Sequence, residues 1–215
     1  MRTIINKPAL AAVLISSQLL VSFSCGKGIF SPGCGRGSVY SFLASAEWSP
    51  QKEVYKVGDT LYLTSIIPKT LTDQINTSIV VDYSNSDGIY GDIPVRIVDT
   101  VMKQVLPAKD SFQFISIVGN FQERTFNQKD GINFNYLETP TNYQFRGAMV
   151  CKGKGIYALG VSDLLSGGLR GKNCMKAVFK MTITNSNKNL GLYQNVLGIT
   201  LDADGIQRGY AFRVQ

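Results

Sequence analysis

The sequence predicts an all-β domain of the β-sandwich type, and three observations carry the prediction. Ten or more short runs alternate apolar and polar residues at the period of a half-buried strand. Gly, Asn, Asp and Pro punctuate these runs at short intervals, as turns between neighbouring strands require. Lys and Arg interrupt several of the runs, which argues against an outer-membrane barrel, whose lipid-facing band stays apolar along every strand. No internal repeat divides the chain, so one domain over residues 39–215 is expected.

The elements follow in order. Val39 to Ala44 opens the pattern as a first strand, and Glu53 to Val57 leads into the turn Gly58-Asp59. Leu61, Leu63 and Ser65 alternate with Tyr62, Thr64 and Ile66 in a strand that stops at Pro68. The stretch from Tyr55 to Leu63 resembles the early strands of immunoglobulin-like bacterial surface domains, which implies an immunoglobulin-like first half. A Gly-Asp turn between any two strands reads the same way. Pro68 to Asp73 reads as a turn or helical corner, Ile75 to Tyr83 as a strand, and Ser84 to Gly88 as a turn. Ile93 to Val101 and Phe112 to Val118 are strands separated at Pro107, followed by Asn120 to Phe126 and Ile132 to Leu137. Tyr143 to Cys151 and Gly155 to Val161 are joined by Lys152-Gly153-Lys154, and Leu164 to Asn173 reads as a glycine-rich loop. Met175 to Thr184 gives the cleanest alternation in the chain. Leu190 to Leu197 places Leu190, Tyr193 and Leu197 on one helical face. Ile199 to Leu201 and Tyr210 to Val214 read as a terminal hairpin around Asp202-Ala203-Asp204-Gly205.

Ahead of this domain, residues 1–24 have the order of an export signal: basic Arg2 and Lys7, a short apolar run from Ala9 to Val21, then Ser22-Phe23-Ser24 before Cys25. The apolar run is shorter than the roughly 20 residues that span a bilayer. Leu19-Leu20-Val21-Ser22-Phe23-Ser24-Cys25 resembles a bacterial lipobox in the form seen in Bacteroidota cell-envelope lipoproteins. The resemblance implies acylation of Cys25 and a lasting membrane anchor, each buried methylene contributing about 0.8 kcal/mol. An ordinary signal peptidase cut after Ser24 is the alternative. Residues 25–38, with five glycines and a proline in Gly26 to Ser38, read as a flexible tether.

Composition narrows the chemistry. The full chain carries a formal charge of +7, which becomes +5 once Arg2 and Lys7 leave with the signal. That balance is mild and dispersed, and in an exported protein it excludes nucleic acid as the expected partner. Histidine is absent, which removes Ser-His-Asp and Cys-His nucleophile activation and the commonest transition-metal ligand. No cofactor is expected. Of the four cysteines, Cys25 is assigned to the lipid, and Cys151 and Cys174 are expected to pair in an oxidising compartment. Cys34 is then left over; a Cys25–Cys34 bridge in a non-lipidated chain is the other arrangement.

A Cys151–Cys174 bridge would gather Lys152 and Lys154 with Arg170 and Lys172 into a candidate anion-binding patch on glycine-rich loops, against the plainer reading of solvated loop charges. Ser166 to Asn173 lacks the glycine spacing of a phosphate-binding loop and has Asn173 where Ser or Thr would hold magnesium. Asp202 and Asp204 before Gly205 are a fragment of calcium-loop chemistry without the closing Glu, and an Asp-Gly turn explains them equally. Asp82, Asp87 and Asp92 form a second acidic stretch that offers paired carboxylates for glycoside hydrolysis. Trp48 and Tyr62 suggest an aromatic sugar platform, although a lone tryptophan in a sandwich more often fills the core. The expected function is that of a lipid-anchored extracytoplasmic module, held at the outer membrane of the cell envelope, that binds a protein or a glycan. A carboxylate-dependent envelope glycan hydrolase is the alternative.

Overall fold

Ten residues of one strand, β1 (Tyr40–Ser49), show how the alternation becomes structure: Phe42, Ala44, Ala46 and Trp48 are buried while Leu43, Ser45 and Glu47 face outward. The computed structural model describes residues 39–123, 130–171 and 175–215. Among them it has sixteen strands, and the fold is the expected all-β sandwich.

The first layer has β1 at its centre. On one side β3 (Thr60–Pro68) pairs antiparallel, then β12 (Asn142–Cys151). On the other side β15 (Ala177–Ile183) pairs parallel to β1, with Tyr40 opposite Ala177 and Ala46 opposite Ile183. The outer edge of β12 is shared by β11 (Leu137–Glu138) and β8 (Phe112–Val118). The second layer is built on β6 (Ile89–Asp99), whose first half pairs with β10 (Gly131–Asn135) and β14 (Leu164–Ser166). Its second half pairs with β7 (Gln104–Pro107) and β13 (Gly155–Leu159), and β13 carries β16 (Tyr210–Val214) and then β2 (Val54–Tyr55). The path is open, ending at β11 and β2. The layers meet through aromatic rings: Trp48 of β1 stacks on Tyr210 of β16, and Phe145 of β12 packs 4.4 Å from Phe134 of β10.

Two stretches link the layers: β14 pairs with β15 as well as β6, and the run after β8 crosses over. β8 pairs with β12, then Gly119 turns with φ +72° and β9 (Asn120–Gln122) pairs with β10. A Cβ at Gly119 would lie 2.3 Å from the Asn135 carbonyl oxygen. Both the left-handed backbone and the close approach therefore require glycine.

Five expectations are corrected. The corner after Pro68 is a strand, β4 (Thr70–Thr72), and the run from Ile75 to Tyr83 keeps only β5 (Val80–Asp82) as its partner. Asp73 is the reason: its carboxylate accepts from the N–H groups of Ser41, Ile75 and Asn76, folding the next residues into a turn. These bonds, led by the one from Ser41, hold its carboxyl below the ordinary range. Leu164 to Ser166, read as loop, forms β14, and Gln104 to Pro107 forms β7 where only a break was expected. The terminal hairpin does not form. Asp202 accepts from the Gly205 N–H at 2.8 Å and caps a short helix (Ala203–Arg208), so β16 turns to β13 for its partner.

The expected helix over Leu190 to Leu197 is present as α1 (Gly191–Leu197), closed by Gly198 in the left-handed conformation. The Ala203–Arg208 helix is α2. Lys188 Nζ donates to the Ile206 and Gln207 carbonyls, tying down the end of α2. The two helices cover a small second core of Val98, Tyr193 and Ala211 on the outer side of the second layer.

Candidate functional site

Cys151 is a free, buried thiol, which corrects the expected bridge to Cys174; Cys174 itself lies outside the described residues. The register supplies the reason. Ala148 of β12 pairs with Tyr62, and Tyr62 with Ser49 at one end of β1. Ala177 pairs with Tyr40 at the other end, and nine steps along a strand cover about 30 Å. Cys151 lies beyond Ala148, and Met175 precedes Ala177, so the two ends are far outside the roughly 7 Å Cα limit of a disulfide. Burial, aided by the Asp59 carboxylate, pushes the Cys151 thiol up to about 11. Alkylation at pH 8 is therefore expected to lag an unfolded control by at least about 100-fold, since only the thiolate reacts. Peptide-level mass spectrometry after timed iodoacetamide exposure checks this, and equal rates would contradict it.

The candidate anion patch separates with the bridge. Lys152 follows Cys151, and its N–H bonds to the Ser111 carbonyl. Arg170 is tied to Asn85 through its backbone and lies near Glu138, which pairs with Tyr143, eight residues from Cys151 along β12. That span is about 26 Å. Lys154 remains with Lys152, and Lys172 lies outside the described residues, so no four-cation cluster is assembled among the described ones.

Around Glu138 there is instead an ion pair. Desolvation pushes its carboxyl up, but the bond from Lys69 Nζ at 2.8 Å, the Asn85 N–H and the Lys69 and Arg170 charges outweigh it, leaving the carboxyl below its ordinary range. A depressed carboxylate stabilises the fold above its unfolded pKa, and that contribution is lost as pH falls through the folded value. Glu138→Gln is expected to cost about 0.5–1 kcal/mol at pH 7 and to flatten the loss of stability below roughly pH 4. Urea melts across pH 2–7 read this difference.

Three of the other candidate carboxylates, Asp202, Asp204 and Asp82, have structural work. Asp202 caps α2, and Asp204 accepts from Arg208 at 3.0 Å within the same helix. No group of three potential metal ligands occurs among the described residues. Asp82 accepts from the Ser84 hydroxyl and N–H, which lower its pKa, the wrong direction for a general acid at neutral pH. Trp48 is fully buried and belongs to the core, so it forms no sugar platform with Tyr62.

Tyr62 has a different companion. On the outward face of the first layer, the Arg146 guanidinium lies 5.3 Å from the centre of the Tyr62 ring. Ile115 of β8 lies opposite Ala148, and Ala148 opposite Tyr62, so an isoleucine, an alanine and a tyrosine form one row across three strands. Leu137, Gln144 and Ile66 form another. Ile66, Ile115, Ile117 and Leu137 are each more than 40 % exposed. Arg146 has no carboxylate partner among the described residues. The missed signal was in β8: Phe112-Gln113-Phe114-Ile115-Ser116-Ile117 is apolar on both parities, whereas a strand with one wet face alternates.

A cleft of about 420 Å³ lies between the α1–α2 segment and the outer side of the second layer, with Arg96, Tyr193 and Arg208 in its lining. Burial raises the Tyr193 hydroxyl against the opposing influence of the Arg96 charge.

No family model matches the chain, and no curated protein matches it. Among solved structures it is similar to a non-cellulosomal cohesin from the archaeon Archaeoglobus fulgidus, at 8% identity and a TM-score of 0.33 over 83% of this chain and 92% of that one. A cohesin module from a Clostridium perfringens family 33 glycoside hydrolase gives 7% identity and 0.30 over 59% and 84%. A type II cohesin domain from the Acetivibrio cellulolyticus cellulosome gives 9% and 0.26 over 58% and 83%. Superpositions this loose add nothing to the residues described above.

Proposed function

We propose that the chain is a lipid-anchored envelope protein that binds another protein through the outward face of β8, β12, β3 and β1. The observation that carries the reading is Arg146 stacked on Tyr62 among exposed Ile115, Ile117 and Ile66. Tyr and Arg dominate interface hot spots, and surrounding aliphatic contacts exclude water from them. Arg146, which has no carboxylate partner among the described residues, favours a binding partner that presents a carboxylate within an apolar patch. The anchor is supported by the order of residues from Arg2 to Cys25 and by the glycine-rich stretch after it.

The test places a photo-crosslinking residue at Ile117 in cells and identifies the product, then reconstitutes binding with the purified partner. One discrete envelope protein is expected, with Tyr62→Ala and Arg146→Ala each weakening the purified complex by roughly 30-fold or more. A crosslink only to the chain itself or only to glycan, or a purified pair that fails to bind, would overturn the reading. Intact mass of the mature N-terminus tests the anchor separately: acylated Cys25 supports it and an unmodified terminus defeats it.

A further inference from the structure

The cleft beside α1 and α2 has the dimensions and chemistry of a small-ligand site, at a place in the molecule distinct from the face of β8, β12, β3 and β1. Its volume of about 420 Å³ falls within the roughly 300–1,000 Å³ of small-molecule pockets. Val105, Leu197, Ile199 and Leu201 supply apolar lining, and Ile199 remains 46% exposed at its edge. The polar groups are few, and their charges are unequal. Arg208 is held by Asp163 and Asp204, and Asp163 also takes Lys180. Both of those acids are thus engaged, whereas Arg96 has no carboxylate partner among the described residues. The buried Arg208 Nε–H also lacks an acceptor among them.

We infer that this cleft binds a small amphipathic monocarboxylate, with its aliphatic body against Leu197, Ile199 and Leu201 and its carboxylate on Arg96. One guanidinium without a carboxylate partner among the described residues suits one carboxylate, which it meets through two parallel N–H bonds. A polyphosphate would leave charge uncompensated, and a neutral alkane would leave Arg96 unused. The helical segment between β15 and β16 thereby acquires a role beyond covering Val98 and Ala211.

Sodium decanoate is the probe, with decanol as its uncharged counterpart, each titrated calorimetrically into the full-length chain below its aggregation limit. Decanoate is expected to saturate one site and to bind at least tenfold more tightly than decanol. Arg96→Gln should reduce decanoate to the level of decanol and leave decanol unchanged. Ile199→Asp should weaken both by tenfold or more, and Ile115→Asp on the opposite layer should change neither. All three positions are exposed, so unchanged melting temperatures verify that each variant folds. Absence of saturable binding, equal affinity for the two probes, or indifference to Arg96→Gln would overturn the inference.

Discussion

Trp48→Ala is expected to lower the free energy of unfolding by about 3–5 kcal/mol, the range for deleting a large buried aromatic side chain. Trp48 has no exposed surface and stacks on Tyr210 at 6.2 Å, so its removal leaves a cavity where β1 meets β16. The neighbours cannot close it: β1 is fixed on both sides by β3 and β15, and Tyr210 donates its hydroxyl to the Lys52 carbonyl. Trp48→Phe separates packing from polarity. The indole Nε1–H is buried without an acceptor among the described residues, so phenylalanine removes an unsatisfied donor while keeping a ring against Tyr210. Its expected cost is about 1–2 kcal/mol. Urea denaturation of the three proteins decides; a Phe variant as unstable as the Ala variant would refute the packing account.

Asn185→Ala is expected to cost about 2–6 kcal/mol, because two buried backbone groups lose their partners together, each at about 1–3 kcal/mol. The parallel ladder between β1 and β15 reaches Ala46, where the Thr184 N–H takes the Ala46 carbonyl. Beyond that point the Asn185 side chain replaces the backbone. Its Oδ1 accepts from the Trp48 N–H at 2.8 Å and its Nδ2 donates to the Trp48 carbonyl at 2.7 Å. Asn185→Asp keeps the acceptor, loses the donor and buries a charge, so it should be no more stable than the Ala variant at neutral pH. A melting temperature within a degree or two of the parent for Asn185→Ala would show that the side chain is not the clamp described.

Long alternating runs were readable from residue types alone, and short paired pieces were not. Ala177, Phe179, Met181 and Ile183 all turned inward as their spacing predicted, and β3 stopped at Pro68. β14 was hidden because three residues beside Gly167 and Gly168 carry little periodicity, and their strand character comes from partners in β6 and β15. Asp202 was ambiguous for a local reason: the same Asp and Gly that suit a hairpin also suit a helix cap, and Leu190 and Arg208 resolve the choice through packing and ion pairs. Long-range assembly was the largest loss. Proximity of Cys151 and Cys174 was expected from strand ends, but a strand has two ends, and only the register says which one faces which. The Tyr62–Arg146 pair was invisible for the same reason, since 84 positions separate residues that β3 and β12 place side by side.

The parallel pairing of β1 with β15, and of β2 with β16, bears on the order in which the chain can fold. β1 is made well before its parallel partner, and its ladder with β15 waits for residues 177–183. Such distant pairings make folding slow, because loop closure must precede the contacts that reward it. An unfinished chain lacks one neighbour of β1 and the Tyr210 ring that packs on Trp48, so a stable core cannot form ahead of the last strand. Residues 40–214 therefore reach their stable fold together, in one cooperative step rather than strand by strand.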